Sequence, residues 1–243
     1  VLLGPYTRAS ASQSLSHRHR HCCLPMNTVA EAFKQLVNRE IASTLKPLGF
    51  RKRAHTFGLR GSGVWGVINL QRSRNSTREQ IQFTINIGVW SELLASLDLV
   101  SSSPCSTAKG ALPSESICHW RQRISQLMPP HRQDVWWSID SPKLADSLVE
   151  EVRSAVNDYA VPALRTLRSD QALLDANRTG APFGYMNAIL VAALYRYHGT
   201  AEEFRNVAEQ ILAQAAGRPG ESPFLTRLIS LGYAPPTKPG RSC

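Results

Sequence analysis

The chain reads as an α+β protein, with an N-terminal helix packed on a three- to four-stranded antiparallel meander, followed by a helical C-terminal half. Three observations lead there: two period-2 runs between Val64 and Trp90, a capped apolar stripe just upstream, and helical spacing through much of the second half.

The first helix opens at Thr28, which forms a capping box with Glu31. Phe33, Leu36, Val37, Ile41, Thr44, Leu45 and Leu48 then recur at helical spacing, a stripe suited to cover a sheet. Pro47 and Gly49 end it before Phe50 and the basic run Arg51, Lys52, Arg53. Thr56 to Arg60 is rich in strand formers, and Gly61, Ser62 and Gly63 supply a turn into the next strand. In that strand Val64, Ile68 and Leu70 alternate with Trp65, Val67, Asn69 and Gln71. Ile81, Phe83, Ile85, Ile87 and Val89 alternate likewise with Gln82, Thr84, Asn86 and Gly88. Closing the loop Arg72 to Gln80 as a hairpin sets Gln71 opposite Gln82, Asn69 opposite Thr84, and Val67 opposite Asn86. On the apolar side the same register sets Leu70 opposite Phe83 and Ile68 opposite Ile85. A one-residue slip would mix the faces, so the pattern is expected to specify this register.

Ser91 to Leu97 reads as a short helix, and Val100 to Glu115 as a Ser/Pro-rich loop. Trp120, Ile124 and Leu127 read as an amphipathic turn or helix before Pro129 and Pro130. A fourth strand is expected near Val135 to Ile139, where Trp136 and Trp137 would point to opposite faces. Either one is core and the other faces a partner, or both are core. Ser141 and Pro142 are expected to open a helix striped by Leu144, Leu148, Val152, Val156 and Tyr159. Adjacent Glu150 and Glu151 diverge around that helix and read as solvated. Short helices follow Pro162, over Ala163 to Arg168 and Gln171 to Ala176. After a Gly/Pro break comes a buried helix from Tyr185 to Tyr197, stopped by Gly199. A second capping box, Thr200 with Glu203, opens a helix with Phe204, Val207, Ile211 and Leu212 inward, and a last helix spans Phe224 to Leu231.

Three regions follow. Residues 1–25 are expected to be a disordered basic extension, with Met26 the biological start; residues 26–176 form the α+β domain, and residues 177–243 a C-terminal helical extension. The tract His17, His19, His21, Cys22 and Cys23 has metal-binding residue types but no folded scaffold to fix a tetrahedral site, so no metal is expected.

These pieces, in this order, resemble the domain of unknown function 4304 family of bacterial proteins over about Thr28 to Leu174. The marks are Gly49 with Phe50, Thr56 with Phe57, the triplet Asn69, Gln71 and Ser73, the group Asn86, Gly88 and Val89, Trp120 with Arg121, and Trp136 with Trp137. The resemblance brings no activity and no catalytic residues. The Ser-rich stretch from Ser101 to Ser116 is longer than the family pattern needs.

With 243 residues and 42% hydrophobic content the chain can build a core in one domain or two. Its longest apolar run, Ala188 to Leu194, is too short to cross a bilayer, and five scattered cysteines fit a reducing cytoplasm better than a disulfide framework. The net charge of +10 is uneven: +3 in residues 1–25, +5 in residues 26–98 and +2 in the remainder. The excess therefore gathers around the meander.

No Gly-rich phosphate loop, nucleophile elbow, His-Glu-x-x-His or paired Cys-x-x-Cys is present, so no cofactor is expected and the balance leans against an enzyme. Cys118 beside His119 reads as a buried thiol next to a hydrogen-bonded imidazole rather than a nucleophile with its base. What remains is a surface: Arg51, Lys52, Arg53, Asn69, Gln71, Arg72, Ser73, Arg74, Arg78, Gln82, Thr84 and Asn86. The favoured reading is a non-catalytic cytoplasmic module that meets a protein partner there. The runner-up is nucleic-acid binding through the same cations and amides, with cryptic nuclease or modification activity. A third is a small-ligand enzyme using Gln71, Ser73 and Asn86, which calls for a pocket over that face.

Overall fold

The computed structural model describes residues 28–99, 110–129, 134–180, 184–217 and 221–235. The N-terminal extension and its His/Cys tract lie outside them.

Helix α1 (Val29–Gln35) runs through a π-helical stretch, Leu36–Ile41, into α2 (Ala42–Leu45). Thr28 caps it as the sequence predicts, with Oγ1 accepting from the Glu31 amide and the Glu31 carboxylate accepting from the Thr28 amide. Gly49, left-handed at φ 89°, turns the chain out of the helix. The sheet follows: β1 (Arg51–Arg53), β2 (Thr56–Arg60), β3 (Val64–Arg72), β4 (Ile81–Ser91), then after α3 (Glu92–Ser96) β5 (Trp120–Arg123), β6 (Trp137–Ile139) and β7 (Tyr185–Met186). It is antiparallel throughout, in the order β1-β2-β3-β4-β5-β7, with β6 on β4 beside β5. Among the described residues the meander at its centre is thus extended to seven strands.

The hairpin register differs from the expected one by two residues. Gln71 faces Thr84, Asn69 faces Asn86, Val67 faces Gly88, Leu70 faces Ile85 and Ile68 faces Ile87. Each strand keeps the predicted faces, because a slip of two returns every side chain to its own side. Alternation excludes odd slips and is blind to even ones. Here Arg72 pairs with Phe83 where the expected register set it opposite Ile81, so the turn encloses two more residues, and Ser73 donates its amide to the Gln82 carbonyl at 2.8 Å.

β5 and β6 lie end to end along β4. Arg123 pairs with Asn86 and Trp137 with Phe83, so one strand line is interrupted between Arg123 and Trp137. Residues 120–127, expected as a turn or helix, are instead a strand followed by a short 3-10 turn (Ile124–Gln126), with Trp120 and Gln122 inward. Four residues carry too little periodicity to separate the two.

The second half is helical: α4 (Asp146–Ser154), a π-helical stretch (Ala155–Ala160), α5 (Val161–Thr166), α6 (Asp170–Arg178), α7 (Ala188–His198), α8 (Ala201–Ala215) and α9 (Glu221–Ser230). Three boundaries differ from expectation. The Ser141 hydroxyl accepts from the Lys143 amide in a bend, and the helix begins only at Asp146. Pro162 sits inside one continuous helical run, since the wider turn before it leaves a carbonyl without the i+4 donor that proline lacks. Tyr185 and Met186, expected in a helix, pair with β5. The Thr200–Glu203 capping box forms as predicted.

All these helices share one core with α1 and one face of the sheet. Phe33 meets Phe83 at 5.3 Å, Phe83 stacks on Trp137 at 5.6 Å, and a Cβ on Gly66 would meet Leu164 at 3.2 Å. Leu173, Ile189, Leu194 and Leu228 are buried in the same cluster as Leu36 and Ile68. The other sheet face, which carries the amides, receives none of these core helices. A smaller cluster covers part of it: Trp65, Val67 and Trp90 beneath Leu112 and Cys118.

Candidate functional site

Directly paired residues of an antiparallel sheet share a face, so the registers can be read across it. Arg53 pairs with Thr56, Thr56 with Asn69, Asn69 with Asn86, and Asn86 with Arg123. The result is a polar row five strands wide with an arginine at each end. The next row runs Arg51, Gly58, Val67, Gly88, Arg121 and Tyr185, again with arginines on β1 and β5.

The second row is roofed by the protein's own segment from Leu112 to Cys118. It crosses the strands, and the two glycines make the room: a Cβ on Gly58 would stand 2.0 Å from Leu112 Cδ1, and one on Gly88 2.7 Å from Cys118 Cβ. Arginines tie it down, Arg53 Nη1 donating to the Leu112 carbonyl at 3.4 Å and Arg121 Nε to Glu115 at 2.6 Å. Behind it, the Ser91 amide donates to His119 Nδ1 at 2.9 Å, and the imidazole stacks on Trp90. Burial pushes His119 down to about 4, so the ring is neutral and accepting. Burial, with Glu115 nearby, pushes the Cys118 thiol up, and its Sγ rests 3.6 Å from the Ser114 carbonyl. A neutral, buried thiol is a poor nucleophile.

Over the first row the amides bond one another. Asn86 Nδ2 donates to Gln71 Oε1, Asn69 Nδ2 to Thr56 Oγ1 at 2.9 Å, and Thr84 Oγ1 to the Val135 carbonyl at 2.8 Å. Thr84 and Asn86 are buried, Asn69 and Gln82 half-buried, and Gln71 exposed. At the β5 end the Arg123 guanidinium lies 5.3 Å over the Trp136 ring and 3.7 Å from Asp134. Trp136 is 41% exposed while Trp137 is core, so the pair splits between inside and outside.

The remaining residues expected at the surface separate. Arg51 is exposed beside Trp65, its guanidinium 5.9 Å from the ring. Lys52 and Arg72 fall on the helix-covered side, over Phe57 at 6.0 Å and Phe33 at 5.9 Å. Arg74 and Arg78 are exposed in the hairpin loop, where Ser73 Oγ accepts from the Asn75 amide at 3.1 Å. Sequence reasoning missed Thr56, Arg121 and Arg123 as members of this face. The signal was present in the i, i+2 spacing of the two arginines, but it means something only once those residues are known to be a strand.

Among the described residues no cluster of His, Cys, Asp or Glu could hold a metal ion, and no helix is long and apolar enough to cross a membrane. A cavity of about 640 Å³ lies away from the amide face, between α8 and residues 232–234, lined by Arg196, Phe204, Arg205 and Tyr233.

Fold and surface together define an α+β protein that buries one face of an antiparallel sheet under helices and keeps an arginine-bracketed polar row on the other. The chain belongs to the family described as Domain of unknown function (DUF4304), whose family model matches residues 41–166. The first row, the second row as far as Arg121, and the crossing segment fall inside that span. No curated protein and no solved structure matches the chain.

Proposed function

We propose that the chain is a non-catalytic protein-interaction module of the cytoplasm whose contact surface is the amide-bearing sheet face, centred on Trp136 and Arg123. The observation that carries this reading is the exposed Trp136 ring with Arg123 stacked on it, beside a partly buried polar row. Trp and Arg dominate the energetics of protein interfaces, and a ring already ordered by its neighbour loses little freedom on docking. Base reading by the amides is disfavoured, since the Asn69 and Asn86 donors and the Thr84 hydroxyl already serve the sheet itself. The cavity described above lies elsewhere, so the small-ligand reading gains nothing from it.

The test is capture from a lysate of the source cells on the immobilised full chain, with and without nuclease. The variants alongside are Trp136→Ala and the triple replacement of Arg72, Arg74 and Arg78 by Ala. A protein held in near-equal amount, resistant to nuclease and lost with Trp136→Ala, is the expected result. Nucleic acid recovered instead, released steeply by salt and lost in the triple variant, would turn the preference to the runner-up.

A further inference from the structure

Resting on that reading, we propose that the occupant is an extended acidic protein segment that lies across the strands along the row Arg53–Thr56–Asn69–Asn86–Arg123, with one carboxylate on each terminal arginine. The protein supplies its own precedent one row away. There the segment from Leu112 to Cys118 crosses the same strands, giving a carbonyl to Arg53 and the Glu115 carboxylate to Arg121. The first row offers the same ends with fewer commitments. Arg53 is exposed and its one described acceptor is at 3.4 Å; Arg123 Nη1 is buried without a hydrogen-bond partner among the described residues, and its acid contact with Asp134 is a loose 3.7 Å.

Geometry sets the ligand's length. Four interstrand steps separate the arginine backbones, about 19 Å, which extended chain covers in about six residues. Arginines leaning inward shorten the span to about four. Successive side chains of an extended segment alternate in direction, so two carboxylates reach the row together at even spacings. Between them the floor is Thr56, Asn69 and Asn86, polar and self-bonded. Small or polar side chains suit that stretch better than apolar ones.

The experiment titrates the full chain with capped Gly/Ser peptides carrying two glutamates at spacings from two to eight. It follows the side-chain amide resonances of Asn69, Asn86 and Gln71. Affinity should peak at spacings four and six, above five and above either extreme. Arg53→Gln and Arg123→Gln should each weaken the best peptide about threefold to tenfold, as a charge-assisted pair on a half-exposed surface does. Arg74→Gln with Arg78→Gln should change it less than twofold. Melting curves of all variants are compared first, and Arg53→Lys and Arg123→Lys at the same sites keep the charge. Binding that ignores spacing, equal losses from the loop arginines, or Lys variants as weak as the Gln ones overturns the proposal. So does a single-stranded oligonucleotide that moves the same resonances at lower concentration. Should the Trp136-dependent capture succeed while the peptides show no spacing preference, the acidic segment falls and the interaction surface stands; loss of that capture removes both.

Discussion

His119 shows how one side chain can tie the amide face to pH. Its Nδ1 accepts the Ser91 amide, a bond that only the neutral ring can make. Its value is depressed by burial from 6.5 to about 4. The unfolded chain therefore binds the extra proton first, and the stability contributed is present above pH 6.5 and lost as pH falls toward 4. Each pH unit of that window is worth about 1.4 kcal/mol for one proton, giving a loss of about 3 kcal/mol across it. His119→Asn offers a similarly placed acceptor that does not titrate. Denaturant unfolding of the two proteins at pH 7, 6, 5 and 4 should show the difference between them shifting toward the Asn variant by about that amount. Parallel curves would mean that the ring titrates alike in the folded and unfolded chains, so that neither its burial nor the Ser91 bond disfavours the protonated form.

At the scale of the element, the segment from Leu112 to Cys118 is held by close approach more than by area. Gly58→Ala places a methyl where Leu112 Cδ1 now lies, 2.0 Å from the new carbon, so the leucine must move or the segment lift. The expected cost is about 1–3 kcal/mol, with Leu112→Ala in the same chain recovering part of it. Cys118 reports the lift directly. Mass-mapped alkylation at neutral pH should leave the Cys118 peptide slow to react in the parent and faster in Gly58→Ala. An unchanged rate would show that Leu112 alone rearranges.

Elements also show what a sequence can disclose. The two capping boxes were legible because each is a four-residue device whose partners are chain neighbours. The two faces of β3 and β4 were legible because alternation is local to a strand. The register was not, since an even slip conserves every face and only the Arg72–Phe83 closure distinguishes it. The polar row was further from reach. It is assembled from four registers, and Arg53 and Arg123 share nothing in sequence that hints at a common line. The helix start near Ser141 failed for the opposite reason, because a hydroxyl ahead of a proline serves a bend as readily as a cap.

Across the whole molecule, the helices beyond the matched span of residues 41–166 are part of the main core. Ile189, Ala192, Ala193 and Leu194 of α7 are fully buried in it, and β7 extends the sheet through β5. Leu194→Ala should therefore destabilise the entire chain, by about 2–5 kcal/mol, in a single unfolding transition followed by both tryptophan fluorescence and far-UV circular dichroism. Two separate transitions, with the tryptophan signal unshifted, would mean that the C-terminal helices unfold as an independent unit.

The interrupted strand line has a further consequence for how this chain can vary. β4 is paired at one end by β5 and at the other by β6, so each half of the line is anchored to it independently. The connection between them, beyond the buried Ile124 and Ser125, can therefore change length without re-registering the strands on either side, unlike a hairpin loop, whose length is coupled to register. Because that connection leads into Trp136, a change in its length would remodel the rim of the surface while the pairing of β5 and β6 with β4 stays as it is. It is the natural place to graft a new specificity, or to insert a fluorescent reporter that senses occupancy.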